Sequence, residues 1–243
     1  QRACASMPGP WGISTLESDG YKGTYSSLAV DSNEKIHVSF HSQSFDQTAG
    51  YISAGNNSSG SWSDWAWINT NGTHTSLALD SNDKVHISYY DPDNGYLKYV
   101  TNAGCSNPNW CSEVISSSGG IYTSIGIDSN DDVHIASYQG SNGNLQYSTN
   151  VGGSWTTSTV ASTGDVGMFS SLAIDSSDNV HIAYFDEDND DLMYTSNDGS
   201  GWASPTIVDG AAVGHWISIA TDPDDNVHIA YRNLGSVTLK YAT

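Results

Sequence analysis

The chain has 243 residues, and 27 Asp and Glu against 7 Lys and Arg give a formal charge of -20. Nucleic-acid binding needs cations that neutralise phosphates, so nucleic acid is excluded as a partner, as is an anionic membrane surface. No run of 18 apolar residues occurs, which excludes insertion as a membrane-spanning helix. An aromatic content of 11% with only 14% charged residues fits a folded body rather than a disordered acidic tail. The partners left open are a glycan, neutral or acidic, a divalent cation, and another protein; the bland alternative is that the charge serves solubility in salty surroundings.

The N-terminal stretch holds Cys4 and the segment "PGPWGISTLES", residues 8 to 18. Its alternation predicts a strand beginning near Trp11. From there one unit recurs. "SLAVDSNEKIHVSF" begins at Ser27, "SLALDSNDKVHISY" at Ser76, "SIGIDSNDDVHIAS" at Ser124, "SLAIDSSDNVHIAY" at Ser171 and "SIATDPDDNVHIAY" at Ser218. The five align without gaps at a period of 47 to 49 residues, the spacing of a repeat architecture.

Each unit reads as four short strands with period-two alternation and many β-branched residues. An inner strand such as "YTSLALD" turns at "DSND" into "VHISY". A polar loop leads to "YLKY", and a Gly, Asn and Ser loop leads to an outer strand near a Trp. Four strands per repeat of this length is the signature of a propeller blade. The predicted fold is all-β, a five-bladed β-propeller with four-stranded antiparallel blades. The blades span about 21–69, 70–117, 118–163, 164–210 and 211–243 in one domain, 1–243. The last unit ends after three strands, so residues 7–18 are expected to supply its outer strand and close the ring, removing open edges. On the inner strands Leu28, Leu77, Ile125, Leu172 and Ile219 alternate with Ser and Ala or Gly, so a large face should meet a small face between neighbouring blades.

Five Asp–His pairs recur at one blade position: Asp31/His37, Asp80/His86, Asp128/His134, Asp175/His181 and Asp222/His228. A role repeated in every blade points to structure, a buried imidazole satisfied by a carboxylate, rather than to a compact metal site. Calcium takes several oxygens from one loop, and Asp128, Asn130 and Asp132, Asp186, and Asp222 and Asp224 are the acidic turns suited to it. None has the EF-hand pattern, and an Asx-capped turn is the simpler reading. No other cofactor is implied. Cys105 and Cys111 flank a Pro-containing turn and suit a short disulfide, leaving Cys4 over. The cysteines favour a secreted, cell-surface or periplasmic setting, and the start at Gln1 reads as a processed or trimmed chain.

Ser148–Trp155, "STNVGGSW", resembles the Asp-box of sialidase-type repeat propellers, whose pattern is Ser-x-Asp-x-Gly-x-Thr-Trp. Thr195–Trp202, "TSNDGSGW", is a looser copy, and Asn150 and Asn197 stand where that family has Asp. The resemblance implies the propeller fold and a structural hairpin clamp away from any ligand. Sialidases also clamp the substrate carboxylate with three arginines, whereas this chain has only Arg2 and Arg232.

Function is sought where the repeats differ. Aligned at the start of the inner strand are Tyr25, His74, Tyr122, Phe169 and Trp216. Just past the second strand come His41, Tyr90, Tyr138, Phe185 and Arg232, then Ser42, Asp91, Gln139, Asp186 and Asn233. Aromatic platforms beside short polar groups suit sugar rings, which are apolar on their C–H faces and ringed by hydroxyls. A lectin-like binding module is the leading expectation; channel-plugging is the bland reading of the inner-strand aromatics. In the enzymatic alternative, His41, Tyr90 and Arg232 would be base, acid and carboxylate clamp of a polysaccharide lyase. Asp91 and Asp186 would instead be the carboxylate pair of a glycoside hydrolase. A protein-interaction scaffold is the third class.

Overall fold

The computed structural model describes residues 15–16, 22–42, 48–54, 62–69, 72–105, 110–210 and 212–243. They form nineteen strands in five antiparallel sheets. The first sheet holds β1 (Lys22–Val30), β2 (Ile36–Ser42), β3 (Thr48–Ala54) and β4 (Trp62–Asn69). The second holds β5 (Thr73–Leu79), β6 (Val85–Asp91), β7 (Tyr96–Thr101) and β8 (Cys111–Ser116). The third holds β9 (Ile121–Ile127), β10 (Val133–Gln139), β11 (Asn144–Thr149) and β12 (Thr156–Ala161). The fourth holds β13 (Val166–Ile174), β14 (Val180–Asp186), β15 (Asp191–Asn197) and β16 (Thr206–Asp209). The fifth holds β17 (Val213–Thr221), β18 (Val227–Asn233) and β19 (Thr238–Ala242). Strands pair in chain order within every sheet, as consecutive short strands joined by tight turns must.

The core lies between sheets. Leu77 packs with Ala29, Ile125 with Ala78 and Ile219 with Ala173, each in a cluster that joins two neighbouring sheets. Between the third and fourth sheets the small residue is Gly126, where a Cβ would come within 2.8 Å of Leu172 Cδ2. Each large side chain thus inserts over a small one, burying apolar area worth about 1.5–3 kcal/mol apiece. Hydrogen bonds repeat across these joints. The N–H groups of Leu77, Ile125, Leu172 and Ile219 donate to Ser27, Ser76, Ser124 and Ser171 Oγ of the preceding sheet. The tight turns are latched as well: Ser32, Ser81, Ser129 and Ser176 each donate N–H and Oγ–H to the carboxylate of Asp83, Asp131, Asp178 and Asp225 on the next sheet.

The closed ring is not found among the described residues. Packing passes from β1 to β5, β9, β13 and β17 in turn, and among the described residues the two end faces stay largely exposed, with Leu16 beside Leu28 in a groove on the first. On β1, Leu28 and Val30 are 62% and 56% exposed, and on β17 Trp216 is 62% exposed. Four sheets have four strands, while the fifth has three and ends at β19. Most of the segment expected to complete it, residues 7–18, falls outside the described residues. Cys105 and Cys111 form the expected disulfide, with an S–S distance of 2.01 Å.

Candidate functional site

The repeated polar residues are engaged inside their own blades. His37, His134, His181 and His228 each donate Nε2–H to the paired carboxylate of Asp31, Asp128, Asp175 and Asp222 at 3.1–3.2 Å, and His86 Nε2 lies 3.3 Å from Asp80. In four blades the other ring nitrogen meets a tyrosine thirteen residues on, Tyr99 for His86, Tyr147 for His134, Tyr194 for His181 and Tyr241 for His228. Nε2–H donating to Asp leaves Nδ1 to accept the Tyr hydroxyl, so a neutral imidazole satisfies both neighbours.

The expectation of one identical buried role in every blade needs correcting at the last blade. His37 is buried and keeps its carboxylate, Asp31, and in its sheet Tyr51 stands opposite Ser39 as Tyr99 stands opposite Ser88, one residue later than in the other repeats. His228 keeps both partners, yet its side chain is 33% exposed, because among the described residues no further sheet packs over the outer face of the fifth blade. The tyrosine partner was missed from sequence, although its constant spacing in four repeats was there to be seen.

The candidate calcium turns are similarly self-satisfied. Asp128 Oδ1 accepts the N–H groups of Asn130 and Asp132. Asp222 Oδ1 does the same for Asp224 and Asn226, and Asp186 accepts from Asn189. Each of these carboxylates already accepts hydrogen bonds within its own turn, and among the described residues no three His, Cys, Asp or Glu side chains gather as a metal site.

The inner-strand aromatics form a column. Tyr25, His74, Tyr122, Phe169 and Trp216 all have φ between 48° and 53°, at a register shift near the start of each inner strand. Left-handed backbone at a bulky residue costs about 1–3 kcal/mol and is held only where the surroundings over-determine it. Here the bulge turns each ring onto its neighbour. Tyr25 and His74 centroids lie 3.9 Å apart, His74 and Tyr122 5.0 Å, Tyr122 and Phe169 4.4 Å, and Phe169 and Trp216 5.4 Å. Burial within the column pushes His74 down to about 4, helped by nearby His41. Arg232 caps the column with its guanidinium 5.2 Å from the Trp216 ring, a cation–π geometry.

The residues past the second strands part into two groups. Asp91, Gln139, Asp186 and Asn233 are buried and hold the following turn: Asp91 takes Asn94 Nδ2 and Lys98 Nζ, the latter at 2.7 Å, and Asn233 accepts from Ser236. Burial pushes the Asp91 carboxyl up, but the bonds from Lys98 and Asn94 hold it below the ordinary carboxylate range. His41 is 2% exposed, with Nδ1 on Thr24 Oγ1 and Nε2 unpartnered. Burial lowers its pKa. Tyr138, also buried, donates its hydroxyl to Asp165 at 2.7 Å across the joint between third and fourth sheets.

At the joint between second and third sheets the corresponding residues are Tyr90 and Ser118. Ser118 is shorter than Asp165 and is held by Gln139 Nε2 at 2.8 Å, so this joint keeps an open cleft of about 440 Å³. Tyr90, Asn94, Ser117, Ser118, Ile121 and Ser141 line it, with Gly95, Gly119 and Gly140. The size is that of a small-ligand site, and the lining is one aromatic among hydroxyls and an amide, without a charged side chain. Of the sequence-predicted rim, only Tyr90 lies here. The serines were missed because no single residue marks them; the cleft arises from a side-chain length difference across a joint.

No family model matches the chain, and no curated protein matches it. Solved structures do. A protein of unknown function from Dyadobacter fermentans superposes with a TM-score of 0.63 at 10% identity, covering 88% of this chain and 76% of its own. The Aleuria aurantia lectin, solved with Fucα1-6GlcNAc, gives 0.59 at 11%, covering 89% and 73%. An ulvan lyase of a polysaccharide lyase family gives 0.55 at 14%, covering 84% of this chain; the match spans 63% of the lyase. At these identities the likeness shows a propeller-like all-β fold and nothing of the site.

Proposed function

We propose that this chain is an extracellular carbohydrate-binding propeller that takes a neutral sugar ring in the cleft between its second and third blades. The observation that carries the reading is the Tyr90–Ser118 opening. A tyrosine ring offers a face for sugar C–H groups, and Asn94, Ser117, Ser118 and Ser141 offer partners for hydroxyls. No cation lines the cleft, and the overall charge of -20 repels acidic glycans, so neutral glycans are favoured over uronates. Similarity in fold to a lectin solved with a fucosylated disaccharide and to a polysaccharide lyase agrees with a carbohydrate role.

The catalytic readings draw less support. A lyase base must reach its substrate, and His41 is buried. Asp91 is taken by Lys98 and Asp186 by Asn189. A glycan array followed by calorimetric titration of the hits tests the proposal. Tyr90→Ala should weaken binding at least tenfold, and Ser118→Asp should abolish it by rebuilding the Tyr–Asp contact that fills the next joint. Silence across neutral glycans, or unchanged affinity in Ser118→Asp, overturns it and leaves a protein-interaction scaffold. An unsaturated product absorbing in the ultraviolet would establish a lyase instead.

A further inference from the structure

The four internal joints define what each blade face binds, and the two ends of the molecule each present one unused half. The face of the fifth blade carries exposed Ser218 and Ala220, the positions that receive a large side chain and an N–H donor in every other joint. The face of the first blade carries Leu28 and Val30, the inserting pair, 62% and 56% exposed. Trp216 and Leu239, 62% and 82% exposed, extend the apolar area at the fifth blade. Isolated exposed leucines mean little, but two complementary end faces matching a joint used four times in the same molecule mark an interaction surface.

We propose that the occupant is a second copy of this chain, with the first blade of one molecule docking on the fifth blade of another. Leu28 would sit over Ala220, and Leu28 N–H would donate to Ser218 Oγ, as Leu77 N–H does to Ser27. The contact is head-to-tail, so it propagates unless it closes on itself. It also lacks one component of the internal joints. The latch donor, Ser in the first four turns, is Pro223 in the fifth, which has neither N–H nor hydroxyl. The latch acceptor, Asp in the last four turns, is Glu34 in the first. The intermolecular joint is therefore weaker than the internal ones, and association is reversible.

Light scattering after size exclusion, over a range of concentrations, tests this on the intact chain. The wild type should rise above the one-chain mass as concentration increases. Leu28→Glu spoils one face and Ala220→Arg the other; both positions are exposed, so each variant should fold and stay at one-chain mass. Mixed, they retain one good face each and should give dimers and nothing larger. Pro223→Ser with Glu34→Asp restores the latch and should tighten association about tenfold, the net worth of its two solvent-exposed hydrogen bonds to a carboxylate. A one-chain mass at every concentration overturns the proposal. If the latch variant then raises the melting temperature without changing mass, the first and fifth blades meet within one molecule; if it changes neither, the faces do not pair at all.

Discussion

Replacing Asp175 by Ala removes the acceptor for four donors: Ser177 N–H and Asn179 N–H at 2.9 Å, Asn179 Nδ2 at 2.8 Å and His181 Nε2 at 3.1 Å. The Asp175 and His181 side chains are 5% and 10% exposed, so the imidazole N–H is left buried without a partner. An orphaned buried donor costs about 1–3 kcal/mol. Loss of the turn's two backbone bonds adds about 1 kcal/mol, since water reaches them in part. The expected loss is about 3 kcal/mol. Asp222 holds the same four kinds of donor in the fifth blade, but there the carboxylate and imidazole are 29% and 33% exposed. Water can replace the lost acceptor, so Asp222→Ala should cost clearly less than Asp175→Ala. Urea unfolding in dilute solution, followed by circular dichroism and tryptophan fluorescence together, measures both. Equal losses at the two sites, or a loss under about 1 kcal/mol for Asp175→Ala, would refute burial as the source of the cost.

The same carboxylate sets an acid limit. Burial pushes Asp175 up, but the bonds from Asn179, His181 and Ser177 more than offset this and leave it at about 2, against 3.8 for the ordinary group. A depressed folded-state pKa stabilises above the unfolded value and stops doing so as pH falls through the folded one. Midpoints of urea unfolding should therefore hold near pH 5 and fall between about pH 4 and 2, and Asp175→Asn should flatten that fall. Gly167 has φ +109°, and a Cβ there would lie 2.7 Å from Leu145 Cα, so Gly167→Ala should cost about 3 kcal/mol. Gly152, at φ +83° with open space around it, should cost only about 1 kcal/mol on the same change, and a reversed order in thermal melts would contradict the close approach. Because the Asp turns satisfy their own carboxylates, melting in EDTA and in millimolar calcium should coincide, and a rise of several degrees with calcium would show a structural ion.

Much of the molecule is legible in the sequence. The strands and their order follow from a pattern written five times, with Asp31, Asp80, Asp128, Asp175 and Asp222 as its register marks. The alternation of Leu77 with Ser76 and Ala78 foretells a large face on a small one, because strand side chains must point to opposite faces. The Asp–His pairs fall within single blades as expected, although the pair built on His228 is more exposed than the other four. The site is less legible. Asp91 and Asp186 look like free carboxylates in a sequence but cap their own turns, and His41 looks like a rim residue but is buried.

Local repetition therefore determined the strands, the turns and the chemistry of each joint, since these depend on residues close in sequence and on a parity that no tertiary arrangement can change. Only the tertiary structure decided where the joints stay open. Tyr90 faces a cleft because Ser118, on the next blade, is too short to fill the place Asp165 fills beside Tyr138. Leu28 and Ser218 are exposed because, among the described residues, the packing that runs from the first blade to the fifth does not return. Both facts depend on which residues meet across blades, a relation the one-dimensional repeat does not contain.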